Sequence, residues 1–160
     1  MKAEIVLDDC RAVLDWIEDA RNEQEFRVRW VGLVALLRAV GHVLDKVDGT
    51  SDPRLRQAID KKWQDWHREP DRHRIFWEFI EAERNSILKT YEMGYQQGDV
   101  PVVVEATAGP QLFVLHEALF KPLVDGPFAG EDARDVARDA ISWWEQQLSS
   151  ITADANEHGV

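Results

Sequence analysis

Apolar side chains recur every three or four residues over much of the chain, separated by short polar breaks, which is the pattern of packed amphipathic helices. From about Glu4 to Ala20, Val6, Cys10, Val13, Leu14 and Ile17 mostly keep that step, while Asp8, Asp9, Asp15, Glu18 and Asp19 fill the rest. The next stretch, about Glu25 to Val47, differs in kind. Between Val28 and Leu44 only Arg29, Gly32, Arg38, Gly41 and His42 interrupt an apolar run. That predicts a helix buried most of the way round, with Gly32 and Gly41 as close-contact points. Arg29 and Arg38 lie inside the run, and a central charge costs about 2.5–3.5 kcal/mol on insertion into a bilayer. The stretch therefore reads as the central helix of a bundle and not as a membrane span.

Asp48-Gly49-Thr50-Ser51-Asp52-Pro53 is a cluster of turn residues. It places Asp52 as an N-cap and Pro53 at the first helical position. A third helix, to about Trp66, carries Leu55, Ile59, Trp63 and Trp66, and a linker at 68–72 leads to a fourth from about His73 to Met93. The texture then changes. Gly94 and Gly98 break the helix, Val100 to Glu105 is β-branched, Thr107-Ala108-Gly109-Pro110 reads as a turn and Leu112 to Leu115 as a return strand. Pro101 suits an edge. A last helix runs from about Glu131 to Ser150, with Val136, Ala140, Trp143, Trp144 and Leu148 on its apolar face. The expected fold is all-α: one helical bundle over residues 1–150, of about five helices, with a short β-hairpin insertion near residues 100–115. Residues 151–160 are expected to form a flexible C-terminal tail.

Composition narrows the function classes. The chain has 160 residues and a net charge of -11, with an apolar fraction of 44% and a single cysteine. One domain of this size can bury a core without staples. The acidity argues against a surface that grips nucleic acid or anionic membrane as a whole, but leaves room for a local patch. A lone Cys10 excludes an internal disulfide and fits a reducing compartment; with no signal peptide legible at Met1-Lys2-Ala3-Glu4, a cytoplasmic location is expected. Cys10 has acidic neighbours, so it reads as packing rather than as a nucleophile.

Charge is unevenly placed. Residues 53–74 hold seven Lys or Arg against four acids, and residues 125–160 hold eight acids against two arginines. Arg68, Arg72, His73 and Arg74 are the candidate binding residues of that basic stretch, for RNA or an acidic partner; a solvated helix face is the plainer reading. The histidines are His42, His67, His73, His116 and His158, and none has an acid three residues before it. The Glu-x-x-His pairs of a di-iron bundle are thus missing, and neither metal nor cofactor is expected. The seven tryptophans read as core and interface mass. Trp143 and Trp144 are adjacent, so one of them is expected to face a dimer or partner surface.

The fourth helix contains the most informative residue. On an ideal wheel of about 100° per residue, Trp77, Ile80, Leu88 and Tyr91 fall within about 40° of Arg84. Arg84 then sits in an apolar stripe, and a guanidinium there must be ion-paired, at an interface or lining a wet cleft. An internal salt bridge and a phosphate-binding role are both open on this count.

Glu83-Arg84-Asn85 followed by Ser86-Ile87-Leu88-Lys89-Thr90-Tyr91 resembles the signature helix of the HEPN superfamily, the higher eukaryotes and prokaryotes nucleotide-binding domains. The family motif is Arg, often followed by a polar residue such as Asn, then His after four to six intervening residues, in one variant with Tyr two residues later. Arg84 and Asn85 match, Tyr91 falls on the variant's Tyr, and Lys89 stands where the family has His. The resemblance covers about 15 residues. It implies an α-helical bundle, a homodimer, and kinship to metal-independent ribonucleases of toxin–antitoxin, phage-defence and RNA-processing systems. The motif Arg would stabilise charge on the scissile phosphate and Asn85 would orient it, which leaves Lys89 or Tyr91 to replace the His in proton transfer. Loss of the His favours a non-catalytic dimer that binds RNA or a partner protein. The alternatives are an active metal-independent endoribonuclease using Arg84, and a structural helical protein with Arg84 in an internal salt bridge.

Overall fold

A computed structural model describes residues 1–157. Among these residues the main elements are five helices and one two-stranded antiparallel hairpin, as the hydrophobic pattern predicts. Helix α1 spans Lys2–Glu18 and buries Ala3, Leu7, Cys10, Leu14 and Ile17 against α2 and the last helix. Helix α2 spans Glu23–Val43 and continues as a π-helical turn over Leu44–Asp48. Asn22 caps its start by accepting from the Glu25 N–H at 2.9 Å. The π turn has a purpose in packing: it carries the buried Asp48 carboxylate to the start of α1, where it accepts from the backbone N–H groups of Lys2 and Ala3, each at 2.9 Å. Both donors belong to the first turn of a helix, which has no internal acceptors for them.

Helix α3 spans Pro53–Arg68, with Asp52 as its N-cap accepting from the Arg54 N–H at 2.8 Å and Pro53 in the first turn, as the turn cluster predicts. A 3₁₀ turn over Pro70–His73 and a π-helical segment over Ile75–Glu81 lead into α4, Ala82–Thr90. Tyr91 ends α4 in the left-handed conformation (φ 55°), so this helix stops earlier than its periodicity predicts. Strand β1, Val100–Ala106, pairs with β2, Gly109–Leu115, in the register Val102↔Phe113 and Val103↔Leu112. The reversal needs only Thr107 and Ala108, because Gly109 (φ 102°) already belongs to the strand. The strands contact each other and no helix, so the hairpin projects from the bundle.

Helix α5 spans Ala133–Glu157, which corrects the expected stop near Ser150 and the flexible tail from residue 151: Ile151 is fully buried in the core. His158 and the rest of 158–160 lie outside the described residues. Two further expectations are corrected by packing. Helix α2 is covered most of the way round, as expected, and is exposed only along the stripe Gln24, Val28, Ala35 and His42. Gly32, however, is not a close-contact point: a Cβ there would meet open space, and Gly41 alone makes the expected close approach, to the Trp144 ring. Trp143 and Trp144 are both buried, because Trp66 and Phe76 pack over the two rings together and neither is left for a partner surface. The exposed indoles belong to Trp16 and Trp63.

The hairpin is anchored by its base. Lys121 is buried there, its ammonium 2.5 Å from Glu23 Oε2 and above the rings of Phe26 and Tyr95 at 4.9 and 5.2 Å. The Tyr95 hydroxyl donates to the other Glu23 oxygen at 2.8 Å, and burial with that carboxylate raises the phenol's pKa far above its ordinary value. Asp132 caps α5 and binds Arg134 through both oxygens, at 2.8 and 2.7 Å. Burial opposes its ionisation, but Arg134 and two backbone N–H groups outweigh that and hold the carboxyl below the usual range. Lys121→Ala is expected to cost about 3 kcal/mol in urea unfolding, at the low end for a broken buried pair because Glu23 keeps some solvent. The Glu23→Gln, Lys121→Met double variant should recover most of that loss; a double variant no more stable than the single one would show that the ion pair itself is what holds the hairpin base.

Candidate functional site

The orientation of α4 decides where Arg84 points. Glu83 and Ile87, four residues apart, face the core, while Arg84 and Leu88 face out, Leu88 with 66% of its surface exposed. Arg84 is therefore outside the apolar stripe in which the ideal wheel placed it. Two causes combine. The run Ile75 to Ile80 is apolar almost all round and does not phase a wheel; across the π segment, hydrogen bonds reach from i to i+5, so 100° per residue drifts. The stripe that is buried runs through Phe76, Ile80, Glu83 and Ile87.

Glu83 is thus the charged residue inside. Its Oε1 accepts from the Trp30 indole N–H at 2.8 Å and from the Gly94 backbone N–H at 2.9 Å. Gly94 has to be glycine for this contact, since a Cβ there would land on the carboxylate.

Arg84 stands exposed and makes no ion pair among the described residues. Its Nη1 donates to Asn85 Oδ1 at 3.0 Å. The internal salt bridge considered for it is not formed. Instead Arg84 opens onto a groove of about 350 Å³ between α2 and α4. Val31, Val34 and Ala35 of α2 and Ile87 and Leu88 of α4 give the groove an apolar floor, and Arg38, His42 and Arg84 supply its polar groups. No carboxylate lines it, in a chain of net charge -11. Arg38 is anchored at the edge, its Nε 3.2 Å from Glu81 Oε1 and its guanidinium 5.7 Å from the Phe76 ring centre.

Of the other residues singled out from the sequence, Asn85 meets Arg84 but does not line the groove, and neither do Lys89 or Tyr91, both exposed at the end of α4. The basic stretch is brought elsewhere and is largely neutralised locally. Arg68 pairs with Asp65 at 3.1 Å and Arg72 with Glu69 at 3.3 Å, while Arg74 lies over the Phe128 ring. His73 Nδ1 accepts the Trp143 indole N–H at 3.2 Å. Burial, with Arg72 nearby, holds the His73 imidazole below its ordinary pKa. Cys10 is buried, and burial with Asp9 beside it pushes its thiol up to about 12.

Arg38 and His42 are the residues that sequence reasoning passed over. Their signal was present: two polar side chains one turn apart interrupt the apolar run of α2, which places them on one face. Among the described residues no three His, Cys, Asp or Glu side chains converge as metal ligands, and no helix is long and apolar enough to cross a membrane. Comparison with known proteins finds no family model, no curated protein and no solved structure that matches the chain.

Substitutions at adjacent positions separate inside from outside. Glu83→Leu strands two N–H donors, the buried one of Trp30 and the partly buried one of Gly94, and should cost about 2–4 kcal/mol; Glu83→Gln keeps an acceptor and should cost markedly less. Arg84→Leu should stay within about 0.5 kcal/mol of wild type. Equal losses for Glu83→Leu and Arg84→Leu in chemical denaturation would contradict this orientation of α4. For His73, the neutral imidazole is favoured by folding, so its contribution is complete above the unfolded value near 6.5 and is lost as pH falls. Melting temperature should therefore drop between about pH 7 and pH 5, and His73→Asn should flatten that part of the profile; an unchanged slope in the variant would refute the assignment.

Proposed function

We propose that the chain is a HEPN-like helical bundle whose α2–α4 groove binds the phosphate backbone of RNA. The observation that supports this reading is Arg84 itself. It is exposed, free of any carboxylate among the described residues, and set in a groove with Arg38 and His42. A guanidinium offers several N–H groups in the planar arrangement that phosphate oxygens accept, and a local cationic groove can act within an acidic protein.

Binding without cleavage is the primary reading, because Lys89, in the place of the family's His, and Tyr91 do not line the groove with Arg84. One observation favours cleavage as a second reading: His42 faces the same groove from α2. Imidazole gives and takes protons near neutral pH. In that reading the ribose 2′-hydroxyl passes its proton to His42 as its oxygen bonds to the adjacent phosphorus. The bond from phosphorus to the 5′-oxygen breaks and that oxygen takes a proton from water, leaving a 2′,3′-cyclic phosphate and a 5′-hydroxyl; His42 gives its proton back to solvent, and Arg84 stabilises the charge that develops on phosphate oxygens.

A labelled single-stranded RNA, titrated in EDTA at low salt and followed by fluorescence anisotropy, tests both. Arg84→Ala should weaken binding about tenfold, the worth of one or two charge-assisted hydrogen bonds, and lower the salt dependence. Equal binding by wild type and variant, or none by either, overturns the proposal. Intact RNA in the same tubes is expected; metal-independent cleavage that disappears in His42→Ala would replace the first reading by the second.

A further inference from the structure

A second concavity adjoins the groove and shares two of its residues. This recess, of about 330 Å³, lies between α2, α3 and the π segment, and Arg38 and His42 line it as well as the groove of Arg84. Its chemistry is different. Trp66, Phe76 and Trp144 form a buried floor, and Trp63 stands above them with 41% of its surface exposed. The Trp63 ring is held in place by Trp66, His67 and Trp77, with centroids 5.7, 4.5 and 5.6 Å away, so the indole is rigid where it faces the opening. Carboxylates are present here, unlike in the groove: Asp45 and Asp60 line the recess, each tied to Arg56, at 2.7 and 2.5 Å, and Asp45 also to Lys46 at 2.8 Å.

The two hollows therefore select different parts of one ligand. In the recess the cations Arg56 and Lys46 are already held by Asp45 and Asp60, whereas Arg84 in the groove has no carboxylate partner among the described residues and is the guanidinium open to a phosphate. An uncharged planar heterocycle suits the recess, because it can stack on an exposed indole and its ring N–H and amino groups can donate to carboxylates at the rim. The volume is at the lower end for small-molecule sites, which fits a single ring system rather than a folded strand. We infer that the recess is a nucleobase site, in which Trp63 stacks on one base of the RNA whose phosphates lie along Arg38 and Arg84. Trp63 is then the residue through which the protein distinguishes a base-bearing strand from a polyanion without bases. This rests on the phosphate groove being an RNA site, and adds to it a base-dependent contribution that the groove cannot supply.

The test compares wild-type binding of a short single-stranded RNA with that of an abasic ribose-phosphate oligomer of equal length and charge, in EDTA. The base-bearing strand should bind at least about fivefold more tightly. Trp63→Leu should reduce that preference to near one while leaving the abasic oligomer's affinity unchanged, and Trp63→Phe should restore part of it. Equal affinities of wild type for the two oligomers, with binding still weakened about tenfold in Arg84→Ala, would overturn the base site and leave the phosphate groove standing. A preference that survives in Trp63→Leu would also overturn it. Binding of neither oligomer overturns the groove and the recess together.

Discussion

Glu83 carries a carboxylate into the interior of the bundle, and two N–H groups meet it there, one from the Trp30 indole and one from the Gly94 backbone. A buried carboxylate without donors would cost several kcal/mol, so this pairing is a condition of the fold. It also fixes the rotation of α4. With Glu83 pointing in, its neighbour in sequence must point out, and Arg84 is delivered to the groove with no acid to neutralise it. The same contact ties Trp30 of α2 to the residue that starts the loop toward the hairpin. Core, candidate site and insertion thus meet at one oxygen atom.

The aromatic core follows a similar logic. Indole rings bury a large apolar area, but each carries a donor that must be satisfied. Trp144 donates to the Leu37 carbonyl, Trp66 to Gln147, Trp77 to the Trp66 carbonyl and Trp143 to His73. Those partners lie on α2, α3, α5 and the turn before the π segment, so the bonds fix the relative positions of these elements as well as closing the core. Trp63 is the member of the cluster left half open, and it is also the one that lines the recess. An ordered but incompletely covered aromatic surface is what a stacking site requires, and the buried members provide the order.

Charge is arranged locally rather than by net sign. Most cations of the acidic chain are spent on near neighbours, as with Arg68 on Asp65 and Arg72 on Glu69, pairs that contribute little individually at a surface. Lys121 and Arg134 are spent on anchoring the segment that carries the hairpin. What remains at the groove is a small cationic site whose influence falls off within a Debye length of about 8 Å, short enough to coexist with an acidic exterior.

Hydrophobic periodicity, turn residues and caps were sufficient to read the helices and the hairpin. Apolar spacing follows directly from 3.6 residues per turn, and Asp52-Pro53 and the β-branched run at 100–104 act through their own backbone preferences. The sequence also singled out the Glu83-Arg84-Asn85 segment. It did not determine which of the first two faces inward, because the apolar run before them has no polar side and the π segment departs from the regular helical step. Nor did local pattern predict that α5 would continue to Glu157, since burial of Ile151 depends on surfaces far away in the chain. The meeting of Arg84 with Arg38 and His42, about 45 residues earlier, is likewise a product of how α2 and α4 pack. Spacing along a chain defines the faces of single helices; which faces come together is decided by the tertiary balance of buried area and satisfied polar groups.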